Sequence, residues 1–175
     1  VKGLAHALAI PLWAVSSLEA GAAAVDIDRF EPSVDIGEAA DANGGRAAAL
    51  SDEERAWPRY VLFDARSDRV YGACYRPTAN GFDVLIQPHS TTIGAILSGG
   101  PPFSVFAGDG AQKHGDEIRG AGFTLLPAPF GMPTAAGLLR ALASSPSREP
   151  VEDVAHWQPE YLRSFSAERC SGSGA

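Results

Sequence analysis

The chain has 175 residues, 45% of them hydrophobic and 20% charged, with a formal net charge of -7. That length and apolar content suit a folded domain with its own core and exclude a disordered segment. The acidic balance argues against autonomous binding of a phosphate backbone, and no apolar run approaches the length of a membrane span.

Val1 to Ile10 is apolar and Ala-rich, with Lys2 as its basic charge. No export signal follows, so the stretch reads as a core helix, with Leu4, Ala7 and Leu8 at helical spacing and Pro11 as the stop. Leu12 to Val15 reads as a short buried strand. Ser16-Ser17-Leu18-Glu19 has the form of a capping box, in which the Ser16 hydroxyl and the Glu19 carboxylate satisfy free backbone N–H groups; it predicts a helix to about Val25. Residues 26–58 are rich in Gly, Asn, Asp and Pro and weak in periodicity, and read as a surface excursion. Within it, Ser51-Asp52-Glu53-Glu54 offers a second capping box for a short helix ending near Trp57, which Pro58 closes.

From Arg59 the pattern sharpens. Tyr60 to Asp64 is a β-rich run, and a turn at Ser67-Asp68 leads into a second strand over 69–76. There Val70, Gly72 and Cys74 face one way and Tyr71, Ala73 and Tyr75 the other. Asn80-Gly81 is a strong hairpin signal, and Phe82 to Gln87 is the third strand of a meander. Thr91 or Thr92 caps a helix carrying Ile93, Ile96 and Leu97, which Gly99-Gly100-Pro101-Pro102 ends. Phe103 to Ala107 is a strand, a helix opens at Gly108-Asp109-Gly110 and ends at Gly120 or Gly122, and Phe123 to Leu126 is a strand. Residues 134–144 form a helix with Leu138, Leu139 and Leu142 on one face, and 145–150 a Ser/Pro loop. A meander followed by alternating helices and parallel strands is the plan of an α/β, ribonuclease-H-like fold, which also builds each half of the actin-like ATPases: a mixed sheet flanked by helices.

Several stretches, in this order and spacing, resemble one family. They are Val1-Lys2-Gly3-Leu4-Ala5 through Ile10-Pro11 with Val15-Ser16-Ser17-Leu18-Glu19-Ala20; Phe63-Asp64-Ala65-Arg66 with Val70-Tyr71 and Tyr75; Gly108-Asp109-Gly110-Ala111; Pro133-Thr134-Ala135; and Pro159-Glu160-Tyr161-Leu162-Arg163. Together they are similar to the TsaB (YeaZ) family of tRNA threonylcarbamoyladenosine biosynthesis proteins. The resemblance implies a non-catalytic scaffold that pairs with TsaD and the ATPase TsaE, meets tRNA only through that complex, carries no cofactor, and leaves homodimerisation open. Family members hold a further N-terminal subdomain. The implied organisation is 1–25 as a remnant of a first actin-like half, 26–58 as the excursion, 59–165 as the second half and 166–175 as a flexible tail. An enzyme of the actin-like group, either a metal-dependent glycoprotease or an ATPase, and an inert fragment are the rival readings.

Site chemistry centres on two places. Gly108, Asp109, Gly110 and Ala111 lie between a strand and a helix, where backbone N–H groups can hold a phosphate or nucleoside; the plainer reading is a tight turn with Asp109 as N-cap. Asp64 ends a strand where an active actin-like ATPase would position Mg²⁺, but no Gly follows through Arg69 to let a backbone approach phosphate, so an Asp64–Arg66 turn is the plainer reading. His6, His89, His114 and His156 share no i, i+4 spacing and read as scattered surface residues, with no metal site. Cys74 reads as a small core residue and Cys170 as a tail thiol, and two cysteines without a framework fit a reducing, cytosolic compartment. Tyr161-Leu162-Arg163 reads as a terminal segment docked on the domain.

Overall fold

The computed structural model describes residues 1–25 and 52–162. The expectations for the 26–51 stretch, for Ser51 as a cap, and for Arg163, Cys170 and the tail lie outside the described residues.

Strands β1 (Arg59–Asp64), β2 (Arg69–Thr78) and β3 (Gly81–Thr92) form the antiparallel meander that the alternation predicts. Strands β4 (Val105–Ala107) and β5 (Thr124–Leu125) add in parallel, giving the order β3-β2-β1-β4-β5. Strand β3 continues past Gln87 because His89, Ser90 and Thr91 still pair with Gly72, Tyr71 and Val70. The apolar alternation that marks a strand has faded there, since Pro88, His89 and Ser90 are polar or imino residues at a half-buried edge.

Pleating divides the core between two faces. Tyr60 and Leu62 join Val70, Cys74 and Phe106 on one, and Val61 joins Ala73 and Tyr75 on the other. On the first face the Tyr60 ring stacks on Phe106 with centroids 5.4 Å apart. Helices α4 (Ile93–Gly99) and α6 (Gly115–Gly120) cover it through Ile93, Ile96 and Ile118. Helix α2 (Ser17–Ala24) covers the second face through Leu18 and Ala22. Its end is tied to the sheet by the buried Arg59, whose Nη1 donates to Ala22 O at 3.1 Å; a cation at a helix C-terminus complements the free carbonyls there. Helices α1 (Lys2–Leu8), α3 (Asp52–Arg55), α5 (Asp109–Lys113) and α7 (Ala135–Ala143) complete the described elements.

Four local expectations are corrected. Leu12 to Val15 is not a strand: it makes one backbone bond to the C-terminal segment, Val151 N to Leu12 O, and no ladder partner lies beside it among the described residues. The Ser16 capping box does not close: Ser16 stands at the N-cap without a side-chain cap bond, and the Glu19 carboxylate meets Arg148 at 2.5 Å instead of reaching back. Thr92 is the N-cap residue of α4, as expected, but no side-chain bond closes that cap. The helix opening at Gly108 breaks at His114 into α5 and α6, which follow different parts of the sheet. In α7 the buried residues are Gly137 and Ala141, while Leu138 and Leu139 are exposed. The reason is close packing on α2: a Cβ on Gly137 would lie 2.3 Å from Ala20 O, so a leucine face does not fit.

Candidate functional site

The structure brings Asp64 and the 108–111 segment together at the C-terminal end of β1. Asp64 leaves the strand into a turn in which Arg66, Ser67 and Asp68 all have positive φ (63, 50 and 55°). Left-handed backbone costs an L-residue of order 1–2 kcal/mol. The turn is closed by Ala65 N to Arg69 O at 3.0 Å and by Arg66 N donating to Asp64 Oδ1 at 3.1 Å. The same carboxylate oxygen accepts from Lys113 Nζ at 2.9 Å. The Lys113 ammonium and the Arg66 N–H hold the Asp64 carboxyl below the usual carboxylate range.

Strand β4 delivers the second part. Gly108 has φ 99°, and a Cβ there would meet Leu62 O at 2.3 Å; a Cβ on Gly110 would meet the Phe63 carbonyl carbon at 2.8 Å. Both glycines are therefore required by the close approach of α5 to the β1 backbone. Ala111 is fully buried in the same contact zone. Their N–H groups are engaged: Gly108 N donates to Phe130 O at 3.0 Å and Gly110 N to Asp109 Oδ1 at 2.9 Å. Asp109 follows the N-cap, which is Gly108, and its Oδ1 also accepts from Asp64 N at 3.3 Å, linking the two loops directly.

Phe130, Lys113 and Gly131 were not legible as site residues. Lys113 belongs to the site through the fold, 49 residues from Asp64; its place one turn after Asp109, on the same helical face, is the signal that could have found it. Gly131 (φ 79°) backs the loop, with a Cβ there reaching 2.5 Å from Gly108 N. His114 is not on the surface: it is 8% exposed, with Nδ1 2.8 Å from Glu117 Oε1. His6 and His156 are exposed and His89 is half-buried. Among the described residues no three His, Cys, Asp or Glu side chains converge in a group that could hold a metal ion. Cys74 is buried in the first core face, and burial pushes its thiol up to about 12, leaving essentially no thiolate for nucleophilic chemistry near neutrality. At the C-terminal end Leu162 packs against the second core face, whereas Tyr161 is exposed.

The mixed sheet, with its meander feeding parallel strands between helical layers, is an α/β fold of the kind found in each half of the actin-like ATPases. Among solved structures, the chain is similar to YeaZ from Pseudomonas aeruginosa, with a TM-score of 0.60 and 23% identity over 93% of this chain and 63% of that one. It is also similar to a P. aeruginosa protein described as uncharacterized with similarity to peptidase YEAZ, with a TM-score of 0.61 and 23% identity over 93% of this chain and 64% of that one. The chain thus spans less than two thirds of the length of both. No family profile and no curated protein matches the sequence. Among the described residues no helix is long and apolar enough to cross a membrane.

Proposed function

We propose that this chain is a non-catalytic scaffold subunit of the machinery that adds threonylcarbamoyl to tRNA, acting with TsaD and TsaE homologues. The YeaZ-like fold supports the general kind of protein. The observation that carries the scaffold reading is the state of the loops at the end of β1. The Asp64 carboxylate is bonded to Lys113 and Arg66 N, and the Gly108 and Gly110 N–H groups to Phe130 O and Asp109. Phosphate transfer depends on backbone donors and a metal-positioning carboxylate turned toward the nucleotide. Here the Asp64 carboxylate ties its turn to α5 through Lys113, and both glycine donors are taken by protein oxygens, Gly108 N by Phe130 O and Gly110 N by Asp109 Oδ1. In this reading Gly108, Asp109, Gly110, Ala111 and Asp64 brace the fold, and tRNA is met only through the complex.

The test is capture of a TsaD homologue from the same organism by the tagged protein in its full natural length, with TsaE and ATP present or absent. Co-elution in a defined ratio is expected. Absence of any complex at micromolar concentrations, together with nucleotide or peptide turnover by the isolated protein, overturns the reading.

A further inference from the structure

Residues 1–16 and 142–162 contribute little to the core: Ala5 is the one buried residue in the first, none is buried in the second, and the half-buried Leu162 packs against a core face at its far end. Yet the two segments are joined to each other by well-formed polar contacts that run in antiparallel order. Lys2 Nζ donates to Trp157 O at 2.7 Å, Val151 N to Leu12 O at 2.7 Å, and Arg148 Nη1 to Ala14 O at 3.1 Å. The last of these pairs continues into the body, where Arg148 Nη2 meets Glu19 Oε1 of α2 at 2.5 Å. Arg148 and Glu19 side chains are 23% and 15% exposed, so salt screens this pair far less than a surface ion pair. Ser16 is the N-cap residue of α2, so the amino-terminal arm joins the body there.

Between arm, strap and sheet lies a groove of about 870 Å³, with Trp13 and Trp157 on its walls and Leu18, Phe63 and Tyr71 among its lining. We infer that the arm (1–16) and the strap (148–162) form one clasp over this groove, pinned to α2 by Arg148 and hinged at Ser16. Segments with few buried contacts open at lower free energy than the core, and segments that hold each other open together. Releasing Arg148 frees both at once, because the same guanidinium bonds the arm at Ala14 and the body at Glu19. Opening widens access to the groove while β1, β2 and α2 keep their packing. The inference does not depend on the functional reading.

Hydrogen–deuterium exchange of the purified protein tests it. In Arg148→Gln, the Ile10 amide of the arm and the Val151 amide of the strap, bonded to Ala5 O and Leu12 O, exchange roughly tenfold faster together, as expected for losing a charge-assisted hydrogen bond, with β1 and β2 unchanged. Trp13 and Trp157 emission shifts to the red in step. Glu19→Gln, which leaves the Ala14 bond in place, gives the same pattern at smaller amplitude and serves if the arginine variant does not fold. Acceleration confined to one segment, no acceleration in either variant, or an equal loss of protection in β1 and β2 overturns the clasp.

Discussion

Lys113 Nζ sits 2.9 Å from Asp64 Oδ1, bridging a helix to the end of the central strand. Both side chains keep about a third or more of their exposure, at 41% and 35%, so the pair orients the loop more than it stabilises the domain. Because the folded-state pKa of Asp64 is lowered, the pair's contribution is present above the ordinary carboxylate range and is lost as pH falls through the lower folded value. Lys113→Met therefore moves the Asp64 carboxyl titration, followed by ¹³C NMR, upward toward the ordinary range. An unchanged titration would mean the ammonium does not govern this carboxylate.

The glycine contacts divide into those that tolerate a methyl group and those that do not. A Cβ on Gly21 would lie 2.4 Å from Gly131 O, a backbone atom with no room to retreat. Gly21→Ala is expected to cost about 1–3 kcal/mol or more by chemical denaturation. Gly94, in the first turn of α4, has nothing within 4 Å of its Cβ position. Gly94→Ala is expected to stabilise by roughly 0.5–1 kcal/mol.

The α7 helix gives a test that reverses its sequence pattern. Leu139 is 63% exposed and Ala141 fully buried. Leu139→Glu should leave stability within about 0.5 kcal/mol, whereas Ala141→Leu should cost about 1–3 kcal/mol by overpacking. The opposite ranking by thermal or urea unfolding would place the leucine face in the core.

Much of the domain was legible because its signals are local. The alternation in β1 and β2, Asn80-Gly81 and the glycine-led junction before α5 each report their own neighbourhood. What stayed hidden depends on partners distant in sequence. Leu12 to Val15 has strand composition but no strand beside it among the described residues, so composition alone misled. Glu19 completes a capping pattern yet meets Arg148, 129 residues away. Leu138 and Leu139 have helical spacing, but the face that packs is chosen by α2, whose small residues require Gly137 and Ala141. At the site, Asp64 and 108–111 were readable as loop chemistry; Lys113, Phe130 and Gly131 entered only through the fold.

Alkaline pH probes the core from another direction. Burial pushes Cys74 from 9.0, and Tyr75 from 10.0, up to about 12. For groups whose folded pKa is raised, stability is present below the unfolded value and declines as pH rises toward the folded one. Denaturation midpoints should fall between about pH 9 and 12, and less steeply in Cys74→Val. A flat profile across that window would place the thiol and phenol in water rather than in the sheet.

The central claim is that the loops at the end of β1 are braced against each other and grip no phosphate. Its most direct test is inorganic phosphate release from ATP with Mg²⁺ by the purified protein alone. The account predicts no release above the protein-free control. Steady turnover that Asp64→Asn abolishes would contradict it.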